Sequence, residues 1–163
     1  MSISPATTQP ITFDDVAPVT GSGYPEPFGS RMGQASWRAL GDHFGLTQFG
    51  VSHETLQPGA QSSVRHWHTL IDEFEHMLDG ERVLCTDDGE FVLRPGMCIG
   101  FKAADKNAHH LLDRSQGPSQ KAASFIVVGS RVPGDVALYP DDDLAVFNTE
   151  TWRIAVHKDG TPC

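Results

Sequence analysis

The chain has 163 residues, 39% hydrophobic and 20% charged, which suits one folded globular domain. A formal net charge of −9 argues against a broad basic face for nucleic acid and against docking on anionic lipid. The opening "MSISPATTQPITFDDV" lacks the basic start and apolar run of a signal peptide, and no apolar run approaches membrane-spanning length.

In chain order, residues 1–35 are turn-rich ("VAPVTGSGYPEPFGSRMG") and predict an extended N-terminal arm. From "LTQFGVSHETL" onward, short β-like runs alternate with turns. "SSVRHWH", "EFEHMLDGE", "RVLCT", "FVLRPG", "MCIGF", "HHLLDR" and "ASFIVVGSR" are strand candidates, with "QPGA" and "DDGE" as turns. Turn signals roughly every ten residues predict an all-β sandwich or barrel over 36–135. Residues 136–163 have weaker β character and are expected as a tail packed on the outside of the barrel, within a single domain overall. Cys85, Cys98 and Cys163 show no CxxC spacing and read as reduced thiols of a cytoplasmic protein; Cys85 and Cys98, in apolar runs, read as small buried hydrophobes.

The chemistry concentrates in "RHWHTLIDEFEHMLDGE", residues 65–81. Alternation along a strand puts His66 and His68 on one face, about 7 Å apart, with Arg65 and Trp67 on the other. Glu73 follows on the next strand and shares its face with Glu75 and Met77. In "NAHHLLD", His109 and His110 point to opposite faces, and either supplies a third imidazole. Three nitrogens and a carboxylate leave positions open on a first-row metal, as a catalytic site needs.

"HWHTLIDEFEHMLDG" resembles the first cupin motif, HxH, four residues, Glu, six residues and Gly, through His66, His68, Glu73 and Gly80. "LRPGMCIGFKAADKNAHHLLD" resembles the second motif in altered form: Lys102–Ala104 stand where Pro-Ala-Gly is common, and Asp113 where Asn is common. The resemblance covers roughly residues 45–130. It implies a double-stranded β-helix, the jelly-roll barrel of cupins, around one divalent transition metal (zinc, nickel, manganese or iron). The implied ligands are His66, His68, Glu73 and, by its spacing to Asp113, His109. The flanking phrases "FGLTQFGV" and "WRIAVHKDGTPC" are similar to those of small bacterial single-domain cupins often labelled sugar-phosphate-isomerase-like.

Glu75 stands where many cupins carry a small apolar residue. It reads as a general base for a proton next to a carbonyl, or as a rim residue, or as a partner for Arg82. Lys102 and Lys106 precede His109 in a loop at the barrel mouth; they read as anchors for a substrate anion or as ordinary surface lysines. Three functions follow from these residues. The leading one is isomerase-type chemistry on a sugar or sugar phosphate. An iron-dependent dioxygenase and a non-catalytic small-ligand-binding module are the alternatives. Small-molecule partners are expected, with no nucleic acid or membrane. A homodimer is expected too, because barrels of this size often pair through an outer sheet and the arm suits clasping a neighbour.

Overall fold

In a computed structural model the protein is described at residues 8–114, 121–149 and 152–163, so residues 1–7 of the arm and 150–151 of the tail lie outside the described residues. The strands are β1 (Val19–Thr20), β2 (Ala35–Ala39), β3 (Phe49–Leu56), β4 (Trp67–His68), β5 (Glu73–Asp79), β6 (Arg82–Thr86) and β7 (Gly89–Leu93). They continue with β8 (Cys98–Phe101), β9 (His110–Leu112), β10 (Ala123–Ser130), β11 (Val136–Tyr139), β12 (Leu144–Asn148) and β13 (Arg153–Val156). One short helix (Leu40–His43) precedes β3. Among the described residues no helix is long and apolar enough to cross a membrane.

The architecture is the expected all-β, double-stranded β-helix. One wall is a six-stranded sheet in the order β1-β2-β3-β10-β5-β8. Opposite it stand a four-stranded sheet, β13-β12-β11-β4, and a three-stranded one, β7-β6-β9. Two isolated bridges, Gln61–Leu112 and His66–His109, stitch these two sheets together. The expected strand over "SSVRHWH" is therefore shorter in the structure: only Trp67 and His68 extend a ladder, and His66 is held by its reciprocal backbone bonds to His109 (3.1 and 2.8 Å).

Alternation explains the interior. Met77 on β5, Phe125 on β10 and Leu56 on β3 point inward and are almost fully buried, as are Leu84 on β6 and Leu111 on β9. A second apolar cluster joins Phe28 and Met32 of the arm to Val64, Ala137, Tyr139, Leu144 and Val146. This cluster corrects the expected tail. β11 pairs with β4, the strand that carries His68, and Ala137, Tyr139 and Leu144 are as buried as any residue of the first cluster. Residues 136–148 are a barrel wall and not an outer layer, because the acidic turn "PDDD" separates two strands whose inward residues are large and apolar.

The glycine of the first motif has a steric reason. Gly80 turns the chain at φ +71°, and a Cβ there would lie 2.7 Å from the Ala122 carbonyl oxygen. The altered second motif also resolves physically. The Asp113 carboxylate accepts a hydrogen bond from the Gly59 amide at 2.8 Å, so it ties the turn before β4 to the strand after His109. Ala104, where glycine is common, adopts φ +63°, and its amide donates to the His68 carbonyl at 2.8 Å.

Candidate metal centre

Four side chains converge where the two walls meet. Ligand atoms of His66, His68 and Glu73 all lie within 4.8 Å of one another. Glu73 Oε2 is 3.8 Å from His66 Nε2, 3.6 Å from His68 Nε2 and 3.2 Å from His109 Nε2. Of the four residues named from the sequence, His66, His68 and Glu73 form a group positioned to hold a metal, and His109 lies against the Glu73 carboxylate. Glu73 opens β5 opposite Gly129 on β10, and its Oε1 lies 3.7 Å from where a Cβ on Gly129 would stand.

The donor set fits a metal. His66 Nδ1 donates to the Val64 carbonyl at 2.9 Å, and His68 Nδ1 donates to Asp135 Oδ2 at 2.6 Å. Both acceptors take only hydrogen bonds, so the proton sits on Nδ1 and each Nε2 turns a lone pair toward Glu73. Burial, opposed by Glu73 and aided by His109 and His68, pushes His66 down to about 3 and keeps it neutral. Burial alone would raise Glu73; the hydrogen bond from His109 and the nearby His66 and His68 outweigh it and hold the carboxyl at about 2. A neutral His66 beside an ionised Glu73 matches the protonation states that metal ligation requires.

Packing sets the ring orientations. His66 stacks on Tyr139 (centroids 5.5 Å apart), and His109 lies flat on Phe101 (3.4 Å, 4°). Asp135 is the functional residue that the sequence reading missed. It is fully buried in the turn before β11, and its carboxylate also accepts from the Leu70 amide (2.8 Å), Thr69 Oγ1 (3.2 Å) and Asn148 Nδ2 (2.8 Å). Burial alone would raise its pKa; the Leu70 amide, His68 and Asn148 together keep it low. Its only sequence signal is an acid after the turn "VPG", 67 residues from its histidine.

Two cavities flank the centre and share His68, Ile71 and Glu73 as a common wall. The mouth-side cavity, about 380 Å³, is largely apolar through Phe91, Met97, Ile99 and Phe101. The arm-side cavity, about 450 Å³, lies between the arm and the barrel and is rich in hydroxyls.

The expected substrate residues fare differently. Lys102 is exposed and lines the mouth-side cavity beside Asp88 and Asp105; Lys106 is exposed and lines neither. Glu75 shares the inward face with Glu73, as expected, but only 6% of it is exposed, it lines neither cavity, and its Oε2 has no hydrogen-bond partner. Burial, with Glu73 and Glu54 nearby, raises its carboxyl well above the ordinary value. Glu75 is not a rim residue. Nor does it pair with Arg82, whose guanidinium donates to the carbonyls of Glu81, Leu56 and Lys121. The carboxylate that faces open space is Glu54 on β3, in the arm-side cavity with His66 and Glu73. Its Oε1 accepts from Ser52 Oγ at 3.0 Å. Burial, opposed by the Ser52 bond and aided by Glu73, lifts it to about 7. All three cysteines are free, and Cys98 is exposed where burial was expected.

A cupin-domain family model matches residues 52–128. No curated protein matches the sequence. The structure is similar to that of a sugar phosphate isomerase from a cupin superfamily of Silicibacter pomeroyi, with 38% identity, TM-score 0.88, and coverage of 95% of this chain and 96% of that one. It is also similar in fold to a putative sugar phosphate isomerase of Acidithiobacillus ferrooxidans (22% identity, TM-score 0.69, 80% of each chain). A predicted oxalate decarboxylase of Thermotoga maritima shares the fold as well (15% identity, TM-score 0.59, 75% of this chain and 98% of that one). The motif residues, the barrel and this relationship together establish that the chain belongs to the cupin superfamily.

Proposed function

We propose that the protein is a metal-dependent isomerase of a small hydroxylated carbonyl compound, a sugar or sugar phosphate. The reading is carried by one observation: the convergent His66, His68 and Glu73, with His109 against the Glu73 carboxylate, border a polar cavity that also holds a carboxylate of raised pKa, Glu54. His66, His68, Glu73 and His109 would hold a divalent transition metal, which would supply Lewis-acid polarisation of a carbonyl and its neighbouring hydroxyl.

The remaining work falls to the chain's own groups. Glu54 takes a proton from the carbon bearing the hydroxyl and returns it to the adjacent carbonyl carbon, while the hydroxyl proton passes to the former carbonyl oxygen, so the reaction is neutral in protons and electrons. A carboxyl near 7 suits both halves of that transfer. Glu54 takes the role expected of Glu75 because it lines the cavity, whereas Glu75 is sealed in the barrel. Asp135 positions His68. The name of the Silicibacter pomeroyi relative supports the substrate class.

The test is to incubate the metal-loaded protein with a panel of aldose and ketose phosphates in D₂O and follow the carbon-bound protons by NMR. Interconversion with solvent exchange is expected, and Glu54→Gln should slow it about 10²–10⁴-fold. No interconversion of any member, with metal bound, refutes the proposal.

A further inference from the structure

We propose that the arm-side cavity holds a phosphate-binding subsite, formed by Arg153 of β13 and the Gly21-Ser22-Gly23 turn of the arm, that anchors a phosphorylated polyhydroxylated substrate against the metal centre. The substrate class rests on the isomerase reading above; the subsite rests on its own geometry.

Arg153 differs from the other arginines. Arg31, Arg38, Arg65, Arg94, Arg114 and Arg131 each pair with a carboxylate, and Arg82 donates to three carbonyls. Among the described residues, Arg153 alone has neither a carboxylate partner nor a hydrogen-bond acceptor, although it lines a cavity in a protein of net charge −9. A guanidinium presents five N–H donors in a rigid fork that matches the oxygens of a phosphate.

Its neighbourhood adds donors and keeps bulk away. Arg153 Nη1 lies 3.9 Å from where a Cβ on Gly23 would stand, so the guanidinium comes up against bare backbone. Gly21 adopts φ +101°, which turns the arm back toward the barrel. Among the described residues the amides of Ser22 and Gly23 have no acceptor, and successive amides of a turn are a recurrent anion-binding device. Hydroxyls of Ser36, Ser62 and Ser63 line the same space, between this corner and the His66–Glu73 wall. A volume of about 450 Å³ falls in the usual range for small-ligand sites. Lys102, the anchor expected from the sequence, lies in the apolar cavity on the other side, beside two aspartates that offset its charge.

The probe is inorganic phosphate, titrated calorimetrically at low ionic strength into metal-stripped protein, with sodium acetate in parallel. Wild type should bind phosphate saturably and acetate more weakly. Arg153→Gln should weaken phosphate about tenfold or more, and Arg153→Lys by less, because the ammonium keeps the charge and loses the fork. Lys102→Gln, in the other cavity, should leave the affinity unchanged. Arg153 is exposed on an edge strand, so its variants keep the fold, checked by circular dichroism.

Unchanged affinity in Arg153→Gln overturns the subsite, as does loss of binding in Lys102→Gln, or no saturable binding by wild type. Acetate binding as tight as phosphate would reassign the corner to carboxylates and overturn it as well. Phosphate binding as described, in a protein that isomerises nothing, would refute the isomerase reading and leave the subsite standing. Isomerisation with a KM for the phosphorylated sugar unmoved by Arg153→Gln would do the reverse.

Discussion

Replacing Asp135 by Asn tests how the metal centre is held, because the change keeps the shape of the side chain and removes one acceptor oxygen. In the wild-type protein the carboxylate takes four donors: Leu70 N and Thr69 Oγ1 on Oδ1, His68 Nδ1 and Asn148 Nδ2 on Oδ2. An amide can keep its oxygen toward Leu70 and Thr69, but its NH₂ then faces two donors. To keep a bond, His68 must accept at Nδ1, which moves its proton to Nε2 and blocks the atom aimed at the metal. The opposite amide rotamer spares His68 and leaves the Leu70 amide facing an NH₂ in a fully buried pocket. Loss of such an outer partner costs about 10–100-fold in metal affinity, roughly 1.4–2.7 kcal/mol. One lost charge-assisted bond costs the metal-free protein about 2 kcal/mol, or about 4–8 °C in Tm for a chain of this size. Competition titration of Zn²⁺ against a chromogenic chelator, with a thermal melt of the stripped protein, measures both. Affinity within twofold of wild type and an unchanged Tm would refute the tautomer argument.

Other predictions follow from the same geometry. Glu54, raised from 4.5 to about 7 in the folded state, holds a proton that the unfolded chain releases in that window. Its contribution to the stability of the metal-stripped protein therefore falls as pH rises from 4.5 to 7, opposite in sign to that of His66, so Glu54→Gln should move the slope of the urea-midpoint profile in the positive direction; identical slopes would count against it. Ala104→Gly relieves a left-handed alanine at φ +63°, and net of the added unfolded-chain entropy it should stabilise by about 0.5–1 kcal/mol, a Tm rise of roughly 1–4 °C. Phe74, 42% exposed, lies in register with Val128 and Val51 on the outer face of the six-stranded sheet. We expect that face to pair two copies, so light scattering should give twice 17.7 kDa, and Phe74→Glu should give the monomer mass.

What the sequence made legible was local. His66, His68, Glu73 and Gly80 fall within 15 residues, and strand alternation puts the two histidines on one face with Glu73 following on the next strand. Alternation assigns a face but not a depth. It placed Glu75 correctly beside Glu73 and could not say that two residues further along the strand the barrel is sealed. Glu54 and Asp135 join the site through long-range pairing, Glu54 through the β3–β10–β5 ladder and Asp135 through the β11–β4 pairing. Neither register leaves a mark in any short window. The tail was misread for a related reason: in "DVALYPDDDLAVF" the acidic turn dominates the composition, while the inward residues Ala137, Tyr139 and Leu144 need the arm's Phe28 and Met32 to complete their cluster.

The three imidazoles are not held alike. His66 and His68 are each pinned by a hydrogen bond at Nδ1, whereas His109 is oriented by the flat face of Phe101 and its buried Nδ1 has no partner among the described residues. Stacking fixes the plane of a ring but is indifferent to which nitrogen carries the proton. To offer its Nε2 lone pair, His109 must place an unsatisfied N–H in the interior, at a cost of about 1–3 kcal/mol; His66 and His68 bear no such cost. The centre is therefore graded: two histidines and Glu73 are committed donors, and His109 is a conditional one whose release is cheaper than that of any other ligand. With a metal bound, such a ligand would give the centre an adjustable coordination number.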